Sequence, residues 1–196
     1  RGGQRGMTRE EFLRDLGLGR RDFFGEELSG LDLSGLDLSG LDFVDTDFSG
    51  CRLSGTRLVK AGLARSNLSR AEMVECDLTG AKLSRADLSG ADLSGAHLYE
   101  ANLTRARLVE TRLSGANLTR ARLRRADLTR ANLSNAVLVD ADLTRANLTG
   151  AVVFGACFTR ATLERVVLVD VCLLKARFGG LRPPEPPSGP RQNVSG

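Results

Sequence analysis

Apolar and polar residues alternate in this chain on a strict period of five. From Glu26 to Gly180 the frame runs without an insertion, giving 31 pentads. The third residue of each is Leu, Phe, Met or Val, as at Leu28, Phe43, Met73, Leu103, Val153 and Phe178. The first residue is small from Ala71 to Ala161, apart from Cys76 and Thr111. It is bulkier towards the ends, at Leu31, Leu36, Leu41, Val166 and Val171. A helix face recurs every 3.6 residues and a strand face every two, so neither explains a period of five. Within one pentad, positions one and three share a side, as in a short strand. The chain must then turn once per pentad, with the first and third residues inward and the second, fourth and fifth facing water. Self-similarity of this kind marks a repeat array, in which each unit buries its apolar side only by stacking on its neighbours.

The ends break the pattern. Residues 1–7 are Gly- and Arg-rich and are expected to be disordered. Thr8 followed by Glu11 has the form of a capping box, Phe12, Leu13 and Leu16 fall on one helical face, and Gly17 and Gly19 are stop signals. This predicts a short amphipathic helix over 8–18, within a cap of residues 8–25 over the open first coil of the 26–180 array. Residues 181–196 hold all five prolines and read as a polyproline-type or disordered tail.

Composition adds a charge gradient. From Asp22 to Cys51 there are eight acids and no bases, whereas from Arg52 to Arg182 there are 21 bases against 12 acids, a net +9. No apolar run approaches the ~20 residues of a membrane span, and the N-terminus lacks the form of a secretory signal. Four cysteines without metal-like spacing fit free thiols in a reducing compartment, so a cytoplasmic location is expected. Five of the six Asn-x-Ser/Thr sequons follow from the repeat itself and carry no expectation of glycosylation.

The pattern Ala-[Asp/Asn]-Leu-x-x, carried most cleanly by Ala86-Asp87-Leu88, Ala101-Asn102-Leu103 and Ala126-Asp127-Leu128, resembles the pentapeptide-repeat family, in its bacterial type. The resemblance implies an all-β fold: a right-handed quadrilateral β-helix, or solenoid, here with a short N-terminal capping α-helix. Four pentads would make one coil. Stacked at the inter-strand spacing of ~4.8 Å, nearly eight coils give a rod of roughly 37 Å.

Catalysis has little to work with. The single histidine, His97, sits at an outward second position with no nucleophile constellation around it. Cys51 and Cys76 take inward first positions and read as small core residues. No metal spacing, phosphate loop or nucleotide fingerprint is present. The expected class is therefore non-enzymatic, with no catalytic, cofactor or metal residues. Deviations from the repeat are where binding would be written. With four pentads to a coil, the fifth positions Arg65, Arg85, Arg105, Arg125, Arg145 and Arg165 form one column, a ladder about 24 Å long. Stacking like charges ~5 Å apart costs something on the order of 1 kcal/mol per pair in water, less with salt. The ladder reads either as a docking stripe for a polyanion or an acidic protein face, or as a solvated edge paired to neighbours such as Asp127 and Asp142.

A second deviation is apolar: Val152, Phe154, Cys172 and Leu174 at outward positions of one face, with Val167 and Val169 on the adjoining one. An exposed apolar cluster marks an interaction surface, here for a homodimer through the C-terminal coils, for another protein, or for the Pro-rich tail folding back. The expectation is a binding or scaffold protein whose partner is a protein or a polyanion. The alternative implied by the family is imitation of duplex DNA and binding to DNA gyrase, which protects cells from quinolones or related toxins. Against it, such rods are strongly acidic, and only Glu26–Asp47 is so here.

Overall fold

The computed structural model describes residues 6–179. Helix α1 spans Arg9–Gly17, with Thr8 as its N-cap. Thr8 Oγ1 accepts from the Glu11 N–H at 3.2 Å, and the Glu11 carboxylate accepts from the Thr8 N–H at 2.8 Å, the reciprocal capping box. The helix lays Phe12, fully buried, on the rings of Phe23 (centroids 4.8 Å apart) and Phe43 (6.4 Å). Arg20 adds a polar clasp, donating to Asp15 and Glu26 while its guanidinium lies 4.6 Å over the Phe23 ring. Met7, expected in the disordered start, is instead tied to the array: its N–H donates to Glu27 O at 2.9 Å. The remainder of that start, residues 1–5, and the Pro-rich stretch 181–196 lie outside the described residues.

The rest of the described chain is a stack of coils joined by isolated parallel bridges rather than by extended strands. Each bridge links second positions four pentads apart, from Asp22↔Asp42 to Cys157↔Arg177, and those four pentads make one coil. Bridging begins one pentad ahead of Glu26, with Phe23 buried as a third-position residue. Arg21 at its first position and Phe24 at its fourth break the inward–outward pattern, which masked that pentad in the sequence. A pentad is too short to pair over several residues before the chain must turn, which is why no longer strand forms.

The backbone of one pentad illustrates the pattern below the last coil. Asp87 N–H donates to Ser66 O of the coil below at 3.0 Å, while Leu88 and Gly90 donate to Arg107 O and Val109 O of the coil above at 2.8 and 2.9 Å. Ala91 N–H returns to Leu88 O at 3.0 Å and closes the turn. Three bonds between coils and one within satisfy the buried polar backbone that a structure without regular strands would otherwise leave orphaned. The third-position side chains are fully or nearly fully buried as far as Phe158, and the first-position alanines lie between their layers. Where the first residue carries a hydroxyl it is paired: Thr46, Thr56 and Thr111 donate to Phe23 O, Leu33 O and Leu88 O at 2.7–2.9 Å.

Two outward positions do more than face water. The second-position carboxylate or amide bends back on its own turn: Asp87 Oδ1 accepts from Ser89 N–H at 3.0 Å and from Ser89 Oγ at 2.5 Å. Asn102 does the same with Thr104, at 3.1 and 2.7 Å. Either side chain supplies this oxygen, so Asp and Asn interchange, and a Ser or Thr two residues on is the natural donor. The sequons are a by-product of this turn chemistry.

The fifth position has a positive φ throughout, between 55° and 70° where glycine or any other residue occupies it from Gly25 onward. It is the third residue of the turn, where a type II geometry demands a left-handed backbone. Glycine takes it freely, yet 19 non-glycine residues accept it, among them Arg65, Arg85, Arg105, Arg125, Arg145 and Arg165.

The stack loosens at its last coil. Between pentads 151–155 and 171–175 the bridge and the two-way backbone bonds seen on every lower coil do not form. Leu163, Leu168, Leu173 and Phe178 are only partly buried.

Candidate functional site: an arginine edge

The four columns of fifth-position residues form the four edges of the stack, and three of them manage charge in the same way. On one edge Glu100 faces Arg120 at 3.5 Å, and Asp140 holds Arg160 in a bidentate pair at 2.7 and 2.8 Å. On a second, Glu110 faces Arg130 at 3.3 Å. A third carries mostly glycine, at Gly55, Gly95, Gly115 and Gly155. On these edges a charge is followed one coil on by its opposite or by an uncharged residue, never by its like.

The fourth edge departs from this. Arg65, at its lower end, is held by Asp45 one coil below at 2.7 and 2.5 Å, and Arg165, at its upper end, lies 3.9 Å from Glu164. Between them stand Arg85, Arg105, Arg125 and Arg145, all exposed. Among the described residues none of these four has an ion pair or a side-chain hydrogen bond. The pairing to Asp127 and Asp142, offered by the alternative reading of the ladder as a solvated edge, is absent among the described residues. Asp142 instead takes Arg124 at 3.2 Å, and Asp127 bonds to Thr129 and Asn147. Arg107, flanking the ladder, lies 3.9 Å from Asp87.

The four arginines line a groove of about 300 Å³, with Ser84, Thr104 and Thr144 as its floor and Arg124 projecting beside Arg125. The floor is low where the fourth position is Ser84, Thr104 or Thr144, and the fifth-position arginines stand above it. Sequence spacing brought six arginines into one column. It could not tell which were neutralised, since that depends on acids such as Asp45, a full coil away along the same edge. Arg124 was visible only as a neighbour; it lines the groove from a fourth position while its guanidinium pairs with Asp142 of the next coil.

Electrostatics follow the pairing. The Arg65 guanidinium beside Asp45 holds that carboxyl below the usual range, and Arg160 does the same for Asp140. For Asp142, burial acts to raise the value, but the Thr144 hydrogen bonds and Arg124 outweigh it and the net shift is downward. Burial pushes the thiols of Cys51 and Cys76 up to about 11 and about 12, which keeps them protonated and unreactive. Both are buried, as inward first positions require, whereas Cys172 is exposed. His97 is an exposed rung bridged to Asp77 and Asn117. Among the described residues no group of His, Cys, Asp and Glu is arranged to hold a metal ion, and no helix is long and apolar enough to cross a membrane.

The apolar set lies where the last coil loosens. Val152, Phe154, Val167 and Leu174 are 49, 41, 40 and 61% exposed, while Val169 is half-buried. Lys175 Nζ stands 5.1 Å from the Phe154 ring centroid.

Comparison with known proteins places this architecture. No curated protein sequence matches the chain. Among solved structures, HetL from the cyanobacterium Nostoc sp. strain PCC 7120, a pentapeptide repeat protein involved in heterocyst differentiation regulation, is 29% identical. The match covers 87% of this chain and 94% of HetL, with a TM-score of 0.66. QnrB1, a plasmid-mediated fluoroquinolone resistance protein, is 20% identical over 82% of this chain and 84% of its own, with a TM-score of 0.47. The family description "Pentapeptide repeats" matches in eight copies that together run from residue 27 to residue 180. With that match over most of its length, and with bridges linking pentads four apart along the stack, the chain belongs to the pentapeptide-repeat family.

Proposed function

We propose that this protein is a non-catalytic docking rod, a right-handed β-helix of residues 26–180 behind a helical cap of residues 8–25, whose arginine edge receives a polyanionic partner. The observation that carries the reading is the uninterrupted run Arg85, Arg105, Arg125 and Arg145. On the other three edges no two like charges occupy consecutive coils at the fifth position, so like charge stacked four high is a departure within one molecule rather than a habit of the repeat. Four guanidiniums ~4.8 Å apart repel one another, and a bound anion relieves that repulsion while matching the planar fork. Arg65 and Arg165 extend the edge at either end.

The test is retention on immobilised heparin, a sulfated polyanion, eluted with salt. Replacing Arg85, Arg105, Arg125 and Arg145 with Asn keeps the left-handed backbone, since Asn135 already occupies a fifth position at φ 56°. Elution of the variant at clearly lower salt than the parent supports the reading; co-elution overturns it.

The patch of Val152, Phe154, Val167, Val169, Cys172 and Leu174 is a second docking element, for a second copy of the chain or for another protein. Its exposure, together with the missing backbone ladder beneath Cys172, supports this. Phe154→Ser with Leu174→Ser lowers the concentration-dependent mass in sedimentation if a homodimer forms there. HetL's involvement in a regulatory process is in keeping with a rod that acts by binding. Imitation of DNA towards gyrase finds less support, because Asp32 and Asp37 of the acidic stretch face Arg52 and Arg57 of the next coil at 3.5 and 3.2 Å.

A further inference from the structure

We infer that the partner of the arginine edge is duplex nucleic acid, held by its phosphate backbone without reading of bases. The inference rests on the docking reading above and names the anion. Three features of the face select it.

The first is what the face lacks. The groove along the edge is lined by Arg, Ser and Thr alone, and a depression across the same face, about 600 Å³, adds Lys82, Asn102 and Arg122, together with Gly80 and the paired Glu100 and Arg120. Protein interfaces take their binding energy from buried aromatic and apolar anchors, and this face has none. Binding of single strands relies on aromatic platforms for unstacked bases. The tyrosine of the chain, Tyr99, is engaged elsewhere, its hydroxyl accepting from Arg120 at 2.8 Å on the neighbouring edge. A face wholly polar and strongly basic is the composition of a surface that grips phosphates.

The second is dimension. Arg85 to Arg145 spans three coil steps, about 14 Å at the ~4.8 Å spacing. A strand of duplex DNA presents a phosphate every 3.4 Å along the axis, so the four guanidiniums stand over about four phosphates. That length along the axis is about two-fifths of a ~34 Å helical turn, over which the strand winds well round the duplex. The edge therefore meets its phosphates by lying along the strand's slant, with the reach of the long arginine side chains taking up the curvature.

The third is residue choice. Lys82 and Arg122 have no ion pair or side-chain hydrogen bond among the described residues, and with the four edge arginines they make six cations free to meet phosphate. The edge itself is Arg at every step although Lys occurs at fifth positions elsewhere, at Lys60 and Lys175. The guanidinium's fixed fork pairs bidentately with phosphate where an ammonium cannot.

The experiment is fluorescence anisotropy of the full chain with labelled 20-base-pair duplexes of two unrelated sequences, from 50 to 200 mM salt. Six contacts give a slope of log affinity on log salt of about −5, close to a thousandfold loss across that range, equal for both sequences. The variant with Arg85, Arg105, Arg125 and Arg145 replaced by Asn loses about three to four units of that slope. A charge-matched control, Arg57, Arg112, Arg130 and Arg160 to Asn, keeps the parental slope. The inference is overturned if duplex is not bound at 50 mM salt, if both variants lose alike, or if oligoglutamate at equal charge displaces the duplex. Heparin retention separates the two levels: ladder-dependent retention without duplex binding sinks this inference and leaves the docking edge standing. Loss of both sinks both.

Discussion

At the scale of the residue, the fifth position is where conformation and function compete. Its backbone is left-handed in every pentad, which favours glycine, and each arginine of the ladder is held there against that preference. A non-glycine residue in this region costs roughly 1–2 kcal/mol. Arg70, which has no side-chain partner among the described residues, measures that cost cleanly. Arg70→Gly is expected to raise the unfolding free energy by about 1 kcal/mol in chemical denaturation, offset in part by the greater chain entropy of glycine. An unchanged or lower value would mean that the turn carries no strain. The paired end of the ladder makes a pH prediction. Asp45 is held below its ordinary value by Arg65, so the pair contributes stability above an unfolded value of about 3.9 and loses it as pH falls through the lower folded value. In a carboxyl NMR titration, Arg65→Asn is expected to return Asp45 towards about 3.9, while Asp140, held by Arg160, stays low.

At the scale of the element, the pentad is a turn with a single bridging residue, and it is stable only because the coils above and below complete its hydrogen bonds. Its third residue should therefore behave as a core residue even though the element is so short. Leu103, nearly fully buried mid-stack, is expected to cost about 2–5 kcal/mol on replacement by Ala. Leu173, only partly buried in the loosened last coil, is expected to cost less. Equal losses would contradict the reading of the last coil as open. Much of this element was legible in the sequence: the period of five, the inward first and third positions, the capping box at Thr8 and Glu11. The left-handed fifth position was not, because mixed Gly, Arg, Glu and Asp there read as variability when the common constraint was backbone geometry. Nor was the Asx turn, since Asp87 or Asn102 at an outward position looks like an ordinary solvated rung until its oxygen is seen to bind two residues on.

At the scale of the molecule, the four-pentad coil converts sequence spacing into columns, and columns into surface chemistry. The column of six arginines was legible from spacing alone. Its reduction to four free ones was not, because Asp45 becomes the partner of Arg65 only when coils stack, and adjacency alone does not show that Glu164 turns towards Arg165. The function proposed for the edge thus depends on register: arginines count when they share an edge. Register can be changed without changing charge. Pentads of sequence Ala-Asn-Leu-Ser-Gly, inserted between Arg105 and Ala106, obey the repeat and carry no charge. Two of them rotate everything above by half a coil and put Arg125, Arg145 and Arg165 on the edge opposite Arg65, Arg85 and Arg105. Four of them restore all six to one edge with a single bare rung between. The salt at which each insertion variant elutes from immobilised heparin is the direct measurement. The four-pentad variant is expected to elute close to the parent and the two-pentad variant at clearly lower salt, both with the parental circular dichroism spectrum. Co-elution of the two would contradict the account, because binding would then follow net charge and not the edge.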